Sequence, residues 1–551
     1  VRWDRGNSSG GFNAESPFAQ ALLPTTFHPR IPRYGLLEHE QQRLGVTAAL
    51  QFLPTETTRV NFDALYADFD AERTENFLES LSFSRTGAGK PNTTVRDGEV
   101  DGAGNLVYGV FDNVDVRSET RFDELYTTFR QFTFSAEQDF GDDLMADVVF
   151  GRSESSFDNP VQTTITLDRV DTDGYSWDYR GNDREPVILY GFDVTDPANW
   201  SFVNGLSEIR LRPLAADNDY STGQFNLTWD ASDTWRFRGG INWRKYTFST
   251  TEQRRASELA VPELPPGVTL ADLTTLLQFG NLGGEPVWLR PDIDAFADLF
   301  GIYSNQGTFT VSDQVASVRG NNRSVVEQAL GAYLEAEFSS ELFWRPFYGN
   351  FGVRHIGTDQ GSIGRALVNG QTVQLNVERD YDDTLPSLNL ALEATDDLVL
   401  RFSAAKVMAR PGLGNLTPGV TVSVSGGART VNGGDPLLEP FRAKTADLAA
   451  EWYFAEESVL SLALFYKDID SFVQTSRETR PFSSSGLPAS LLEGTGANPS
   501  DDFQFNIPVN TPGGELSGFE IAYQQPFTFL PEPFDGLGLI LNYTYVDSKI
   551  Q

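Results

Sequence analysis

Residues 171–185, DTDGYSWDYRGNDRE, concentrate side chains that could bind a ligand. Carboxylates of this kind are calcium ligands, but the twelve-residue spacing of a calcium-binding loop is absent. Exposed aromatic rings offer stacking area for sugars, so the stretch also fits a glycan-recognising loop. A solvated acidic loop is the plainer interpretation, and it is the one we favour. The side chains concerned are Asp171, Asp173, Asp178, Asp183, Trp177, Tyr179 and Arg180.

The remaining polar residues do not support catalytic chemistry. Metal-ligand spacing is absent from the histidines, and no Ser-His-Asp triad can be assigned to them; they are His28, His39 and His355. The chain has no cysteine, which excludes disulfides, thiolate metal sites and a cysteine nucleophile. We therefore expect no enzyme activity, no metal site and no cofactor. A further set of acids suggests a hydrated wall rather than a catalytic pair: Glu327, Glu335, Glu337, Glu393, Asp447 and Glu451.

The elements that carry these residues alternate in polarity. In EQALGAYLEAEF, residues 327–338, every second side chain from Leu330 to Phe338 is apolar, and the intervening ones are glycine, tyrosine or glutamate. A period of two indicates a strand with one apolar and one polar face. Hairpins of such strands recur about seven times, at 43–69, 122–157, 219–249, 325–357, 384–410, 441–473 and from about 515 onwards.

Short turns and long connections alternate between these strands. The turns are predicted at PTET (54–57), GDD (141–143), ASDT (231–234), SSE (339–341), TDD (395–397), AEES (455–458) and within 526–536. The long connections span roughly 70–121, 158–218, 250–324, 358–378, 411–440 and 474–513. Structureless loops beyond about 15 residues are uncommon in compact domains, whereas outer-membrane barrels have short periplasmic turns and long external loops. The predicted fold class is all-β, an antiparallel transmembrane β-barrel.

Aromatic residues flank most of the short turns, as expected for a girdle at a membrane interface. The turn at 395–397 departs from this, with Ala394 and Leu398 in those places. Ordinary packing in a soluble β-core is the alternative, but recurrence at equivalent distances from the turns favours a girdle. Its members are Phe52, Phe140, Trp229, Trp235, Phe338, Phe343, Trp452 and Phe454.

Composition agrees with a barrel that has a wet interior. The 551 residues are 40% hydrophobic and 12% aromatic, and no run approaches the 18 or so apolar residues of a membrane helix. The formal charge of −35 argues against nucleic acid as a partner, because phosphate binding needs basic patches.

The connection 250–324 has helical patterns of its own. TLADLTTLLQF places Leu270, Leu273, Leu276 and Leu277 at helical spacing after Thr269, a candidate N-cap. PDIDAFADLF repeats the pattern from Ile293 to Phe300. We favour two helices packed over the barrel mouth. A partner-binding or membrane-surface helix is the alternative, but basic residues are few for an interfacial helix.

The most specific stretch is 398–473. There AAKVMARPGLGNLTPG (404–419) precedes VNGGDPLLEPFRAKTADLAAEWYF (431–454) and LFYKDIDSFV (464–473). This resembles the TonB-dependent outer-membrane receptors, in which an Arg-Pro element ends a strand before a Gly-(Asn/Asp)-Pro-x-Leu-x-Pro segment and an acidic strand. The opening VRWDRGNSSGGF and the stretch from IPRY to DALYADF are similar to a branch common in Caulobacter- and Xanthomonas-like bacteria. The matching motif positions are Arg410, Pro411, Gly434, Asp435, Pro436, Leu438, Pro440 and Glu451.

The resemblance covers residues 1–551 as barrel only. Members of this family also have an N-terminal plug and a TonB box, and they end in a barrel-closing aromatic-terminated strand, none of which this sequence shows. About fourteen strands are predicted, against the twenty-two of outer-membrane transporters. We therefore expect an incomplete barrel domain that lacks the plug and the C-terminal strands.

The function implied by the resemblance is that of a receptor in the outer membrane of a Gram-negative bacterium. It would bind a scarce iron chelate, vitamin or oligosaccharide and import it actively, with the TonB energy-coupling complex acting through the missing plug and outer-membrane lipid surrounding the wall. Candidate ligand contacts are Trp177, Tyr179, Trp200 and Arg410, although a contact with the plug or a neighbouring strand is the favoured role of Arg410. A plugless diffusion porin and a secreted soluble β-protein, glycan-binding or enzymatic, are the alternatives.

Overall fold

The structure is a computed structural model dominated by one large antiparallel sheet. It describes residues 3–5, 27–29, 31–84, 93–181, 186–278, 286–315, 317–368, 371–425, 428–485, 487, 489–492 and 497–550. The opening motif VRWDRGNSSGGF, apart from 3–5, lies outside these residues.

Fourteen long strands form the wall of the sheet, and each pairs with the next in chain order. They are β1 Arg33–Thr55, β2 Thr58–Ser80, β3 Val114–Asp139, β4 Leu144–Thr172, β5 Leu214–Asp230, β6 Trp235–Glu252, β7 Arg323–Leu342, β8 Arg345–Val368, β9 Gln371–Thr395, β10 Leu398–Ala409, β11 Phe441–Ala455, β12 Ser458–Pro481, β13 Asp502–Pro526 and β14 Gly538–Ile550.

The antiparallel order places all seven short turns at one end of the wall, which we call the turn rim. These turns are 56–57, 140–143, 231–234, 343–344, 396–397, 456–457 and 527–537. The opposite end, the loop rim, carries the connections 81–113, 173–213, 253–322, 410–440 and 482–501. The predicted sorting of turns and loops between two rims is confirmed except between β8 and β9, which only residues 369–370 separate at the loop rim.

The strands extend further toward the loop rim than the sequence predicted. The long connection expected at 358–378 is wrong, because β8 and β9 run through it and stay paired from Phe347↔Leu392 to Val368↔Gln371. The apolar alternation is lost in the outer part of β8, whereas Val373, Leu375 and Val377 of β9 still alternate with polar residues. Backbone pairing continues regardless, since it does not depend on which side chains face outward.

The turn predicted at 339–341 is displaced to Phe343 and Trp344. Leu342 pairs with Arg345, so β7 continues through the predicted turn. Phe343 and Trp344 have positive φ angles of 53° and 65°, and their side chains are 82% and 92% exposed. Two-residue hairpins favour Asn-Gly at such positions, so the sequence carries no conventional turn signal there.

The first and last wall strands are edges of the curved sheet. The strand order can be written as a closed ring, but within the described residues β1 pairs only with β2 and β14 only with β13. Solvent exposure agrees with edge positions for these two strands, since every residue of β14 is exposed and so is nearly all of β1. In the described part of the chain, the barrel wall therefore has two free edges.

The two faces of the wall differ as predicted. On β7, Leu330 and Leu334 point outward and are exposed, while Tyr333 and Glu335 lie on the inward face. The girdle residues cluster at the turn rim, where Trp235 lies 5.6 Å from Phe338 and Trp452 lies 5.3 Å from Phe454 between ring centroids. An exposed apolar face and a polar inner face are what a wall between lipid and water requires.

The loop connections fold into a compact structure with its own hydrophobic core, which we call the loop cap. It consists of the described residues within 81–113, 173–213 and 253–322, and it packs on the upper ends of β2, β3 and β4. Its strands are Thr94–Val100, Leu106–Asp112, Tyr175–Asp178, Val187–Leu189, Ile209–Leu211, Arg254–Arg255, Thr274–Gln278, Val287–Pro291 and Val311–Ser312. The first four form one sheet, and Ile209–Leu211 pairs with β4.

One α-helix and one strand replace the two helices predicted in 250–324. Helix α1, Ile293–Phe300, is confirmed: Asp292 caps its start, Gly301 in the left-handed conformation ends it, and Phe296 is fully buried. The first predicted helix is wrong beyond one turn, Leu270–Leu273, because the chain then enters the strand Thr274–Gln278. That strand pairs with Val287–Pro291, which overrides the local leucine spacing. The N-terminal position of Thr269 is confirmed, since Asp272 accepts hydrogen bonds from both its N–H and its hydroxyl.

The remaining elements are short. Single 3₁₀ turns occupy Ser82–Ser84, Pro197–Asn199, Ile302–Ser304, Gly307–Phe309, Arg319–Asn321, Leu413–Asn415, Phe482–Ser485 and Ala489–Leu492. Val420–Ser425 and Ala428–Gly433 form a hairpin beside β13, and Trp3–Arg5 pairs with Phe27–Pro29. In the described part of the chain, no helix has the length and apolar character needed to cross a membrane.

Candidate functional site

Trp177 lies in the centre of the loop cap. Its side chain is 0% exposed, its ring centroid lies 4.4 Å from that of Phe111 and 4.7 Å from that of Phe83, and its Nε1–H donates to the carbonyl oxygen of Leu106 at 3.1 Å. A ring enclosed on this scale contributes chiefly by packing. In this conformation Trp177 offers no open face to a ligand.

The other two candidate rings are also enclosed. Tyr179 is buried at the end of its strand, where its N–H donates to the carbonyl oxygen of Val107 at 2.8 Å. Trp200 is buried against Phe192, and its Nε1–H donates to the carbonyl oxygen of Val194 at 3.2 Å. The ligand-binding role of the three rings stays a prediction, and what the structure places around them is the cap's own core.

Side chains of the acidic loop 171–181 form hydrogen bonds and ion pairs with other protein groups and are not arranged around an ion. Arg180 donates to both carboxylate oxygens of Asp178 and to Glu99, and its guanidinium lies 4.0 Å from the ring centroid of Tyr108. Gly174 N–H donates to Asp112 at 3.0 Å. No cluster of three or more metal-ligating side chains occurs among the residues that the structure describes.

A buried ionic network joins the cap to the wall, and sequence analysis missed it. Arg117 on β3 donates from Nε to Asp168 on β4 at 2.8 Å and from Nη1 to Glu208 at 2.9 Å. Arg210 pairs with Glu208 and also with Glu119, at 3.3 Å. These charges belong to distant stretches of sequence, and pairing of Ile209–Leu211 with β4 brings them together. Removing one partner of such a buried set leaves an uncompensated charge and is strongly destabilising.

The pKa values of two glutamates at the loop end of the wall are shifted in opposite directions. Burial opposes the ionisation of Glu208, but Arg210 and Arg117 together lower its pKa. Burial, followed by the charge of Glu119, raises the pKa of Glu79 to about 7, although Arg33 lies 3.3 Å from its carboxylate. Burial therefore moves the protonation of Glu79 toward neutral pH.

Arg410 directly follows β10 and binds residues of β8 and β7, beyond the adjacent strand β9. Its Nη2 donates to Thr358 Oγ1 at 2.9 Å, and its Nε lies 3.1 Å from Glu327 Oε1. Glu327 is 2% exposed, so the prediction that it belongs to a hydrated wall is wrong. Arg410 lies beside the carboxylate of Glu327, where water was expected. A ligand contact by Arg410 remains a prediction.

The Gly-Asp-Pro segment after Arg410 is anchored to the same region of the wall. The carbonyl oxygen of Pro436 accepts a hydrogen bond from Gln360 Nε2 at 2.9 Å, and Leu438 is fully buried against Val325 and Leu416. Further along, Arg442 binds Asp383 through Nε at 2.6 Å and Nη2 at 3.2 Å. The motif thus fastens the connection 410–440 to β7 and β8, and Arg442 joins the start of β11 to β9.

A small polar cleft lies where the cap meets the hairpin Val420–Gly433. It has a volume of about 50 Å³ and is lined by arginine and glutamate side chains. Arg212 and Glu258 are joined by two hydrogen bonds of 2.6 Å each. Arg255 is 1% exposed and donates to three backbone carbonyls, those of Ile209, Ala260 and Thr308. The cationic groups of this cleft are therefore already engaged by the protein.

The structure is similar to solved outer-membrane receptors at low sequence identity. The ferric-catecholate import receptor Fiu of E. coli K12 is 12% identical with a TM-score of 0.41, covering 95% of this chain and 64% of that one. The alcaligin outer-membrane receptor FauA of Bordetella pertussis is 12% identical with a TM-score of 0.35, covering 94% and 61%. The ferric preacinetobactin receptor BauA of Acinetobacter baumannii is 13% identical with a TM-score of 0.36, covering 95% and 63%. The chain therefore spans less than two thirds of the length of each.

Comparison with curated protein sequences gave no match. Comparison with family models gave a match to the β-barrel of TonB-dependent receptor-like proteins over residues 154–551. The matched region includes β5 to β14 and the Arg410 motif, and it exceeds half of the chain. This chain belongs to the TonB-dependent receptor-like β-barrel family.

Proposed function

We propose that this chain is the barrel wall of a receptor in the outer membrane of a Gram-negative bacterium. The intact receptor binds a scarce external ligand, an iron chelate, a vitamin or an oligosaccharide, and imports it actively. The TonB energy-coupling complex drives import through a plug domain that belongs to the intact protein. The observation that carries the proposal is the family match over residues 154–551.

The geometry of the wall supports a membrane position. Apolar side chains such as Leu50 and Leu462 are exposed on the outward face, and polar groups fill the inward face. Interior strands such as β7 pair with a neighbour on each side along most of their length, which is what hydrocarbon surroundings demand. The aromatic residues at the turn rim match the interface at which amphipathic rings are stable.

The loop cap supports a receptor rather than an open pore. Its core is continuous with the upper ends of β2 to β4, and its ionic network fixes it there. We propose that Trp177, Tyr179 and Trp200 serve ligand binding by holding the cap in shape rather than by stacking on the ligand. We further propose that Arg410 keeps the upper inward face ordered through Glu327 and Thr358.

The test is uptake by cells that produce the intact receptor, compared with a deletion strain. A labelled ferric siderophore, a corrinoid and an oligosaccharide serve as probes. We expect one of them to accumulate, and we expect a protonophore or loss of TonB to abolish accumulation while leaving surface binding intact.

Two results would contradict this function. Accumulation that persists without TonB would indicate a diffusion porin. A purified chain that stays monomeric in buffer without detergent would indicate a soluble β-protein, because the outward leucines would then have to be buried against each other.

A further inference from the structure

The two most exposed large apolar side chains of the described residues are adjacent, at the turn between β7 and β8. Phe343 is 82% exposed and Trp344 is 92% exposed. The other three two-residue turns, 56–57, 396–397 and 456–457, contain only threonine, aspartate and glutamate. Singly exposed apolar residues are common on proteins, but two adjacent rings in a place that otherwise carries polar residues indicate a surface that another molecule covers.

Formation of the turn does not account for these rings. Both residues have positive φ angles, of 53° and 65°, a conformation that is unfavourable for aromatic residues and for which two-residue hairpins select asparagine and glycine. Asn-Gly in these two places would form the same turn with less strain. The chain therefore keeps two rings here at a cost in stability, which is typical of a functional contact.

The turn projects past the aromatic girdle. The ladder between β6 and β7 ends at Trp235↔Phe338, whereas β7 and β8 remain paired for four further pairs, to Leu342↔Arg345. Phe343 is five residues beyond Phe338, which is about 17 Å along the strand and about 12 Å in depth for a strand tilted by about 45°. The two rings therefore lie on the water side of the girdle, where hydrocarbon does not cover them.

Carboxylates surround the two rings. The seven turns of the turn rim together contain ten aspartates and glutamates and no lysine, arginine or histidine. Glu341 precedes the rings, and Asp233 and Asp397 belong to the turns on either side; all three are exposed. Arg345, the cation that follows the rings, donates from Nη1 to Asp396 Oδ1 at 2.6 Å. The exposed surface at this turn is therefore aromatic and anionic.

We propose that Phe343 and Trp344 bind a lysine- or arginine-rich segment of a periplasmic protein. The face of an indole ring attracts a cationic side chain, and the surrounding carboxylates complement its charge and steer its approach. A second copy of this rim and an anionic lipid head group carry the same sign of charge and are repelled. The inference rests on the proposed function, which places the turn rim in the periplasm.

The experiment replaces Trp344 with photoreactive benzoylphenylalanine in the intact receptor, and cells that produce it are irradiated. The crosslinked product is purified, and the peptide joined to the receptor is sequenced by mass spectrometry. We expect a protein adduct whose crosslinked peptide contains several lysines or arginines. Phe529 is the matched control position, since its ring is 67% exposed in the turn 527–537 of the same rim. Benzoylphenylalanine there should give at least tenfold less of the same product.

Charge is tested separately from the rings. Glu341→Lys combined with Asp397→Lys reverses the carboxylates beside the rings and should reduce the yield of the adduct by about fivefold or more. The control combines Glu56→Lys with Asp142→Lys, which reverses as many charges on the turns that follow β1 and β3. That control should leave the yield unchanged, and an equal loss in both variants would overturn a local site.

Each outcome separates this inference from the proposed function. Cell fractionation is performed first, and a receptor that is absent from the outer membrane contradicts the proposed function itself. For a receptor in that membrane, four results overturn the docking site alone: a phospholipid adduct, an adduct with a second copy, a crosslinked peptide without basic residues, or equal yields at Trp344 and Phe529. If the Trp344 variant does not assemble, Phe343 takes its place with the same expected product. An assembled receptor that gives no adduct at either position also overturns the site.

Discussion

One set of charged side chains is buried where the loop cap meets the wall. Arg117, Asp168, Glu208 and Arg210 satisfy one another between the cap and β3 and β4. Such a network stabilises one arrangement only while every member is present, because the loss of one partner leaves a buried charge without compensation. At the scale of residues, the cap is therefore sensitive to substitution and to pH.

Glu79 gives the cap a pH dependence of predictable sign. Its pKa rises from 4.5 to about 7 on folding, so the folded cap keeps a proton that the unfolded chain has released. Stability is therefore full below pH 4.5 and is lost as pH rises through about 7, by about 3 kcal/mol. Urea midpoints from tryptophan fluorescence at pH 5 and pH 8 measure the loss. In the Glu79→Gln variant, the loss of unfolding free energy between pH 5 and pH 8 should be smaller by that amount. If the variant keeps the same dependence of stability on pH, another group is responsible.

Trp177→Ala should destabilise the cap rather than act on a ligand directly. Removing a fully buried indole leaves a cavity beside Phe83 and Phe111, at a cost of about 3–5 kcal/mol. Denaturant midpoints, with near-ultraviolet dichroism as the signal, measure this cost. The control Leu276→Ala removes an exposed side chain of the same cap and should stay within roughly 0.5 kcal/mol. A stable Trp177→Ala protein with weakened ligand binding would restore the stacking role.

At the scale of elements, each wall strand has two faces that face different solvents. On β12, Leu462 lies opposite Ala450 and Ile521 on the outward face, while Ser461 lies opposite Glu451 and Ala522. The alternation of the side chains is imposed by the pleat, and a one-residue shift would exchange the faces completely. The assignment of faces is therefore testable at a single pair of neighbours.

Leu462→Arg should destabilise the wall in a bilayer by about 2–4 kcal/mol, because it places a charge in hydrocarbon near the midplane. Ser461→Arg should be tolerated, since the inward face already holds Glu451 and Arg401, paired at 3.0 Å. Refolding into lipid vesicles with a urea titration gives both values. Equal damage from the two substitutions would mean that the faces have been exchanged.

At the scale of the whole molecule, antiparallel pairing fixes which residues share a rim. Thr57 and Ser232 occupy the turn rim, whereas Ala103 and Asp298 belong to the loop cap. The absence of cysteine from the chain allows each position to be probed by one introduced thiol.

Cysteines at Ala103 and Asp298 should react with a membrane-impermeant maleimide on intact cells, because the proposed orientation places the loop cap outside. Cysteines at Thr57 and Ser232 should react only after the cells are lysed, since the short turns of such barrels are periplasmic. Gel shifts of the intact receptor report both. Labelling of all four positions on intact cells would contradict the orientation.

The sequence by itself determined the fold class, the position of nearly every turn and the two faces of the wall. It could do so because lipid on one side and water on the other impose a period of two, as between Leu330 and Phe338. That pattern is lost in the outer part of β8, although Val373, Leu375 and Val377 of β9 keep it, and the prediction of a loop at 358–378 was wrong. It also says nothing about contacts between distant segments.

Only the tertiary structure decided which candidate residues are accessible. Trp177 and Trp200 looked suited to ligands by residue type, but packing of three separate connections encloses them. The sequence predicted that Glu327 is hydrated, but the fold brings Arg410, which is distant in sequence, next to its carboxylate. Residue type and spacing are local properties and can be read along the chain, whereas burial and ion pairing depend on which strands lie side by side, and in this wall that is set by long-range backbone pairing.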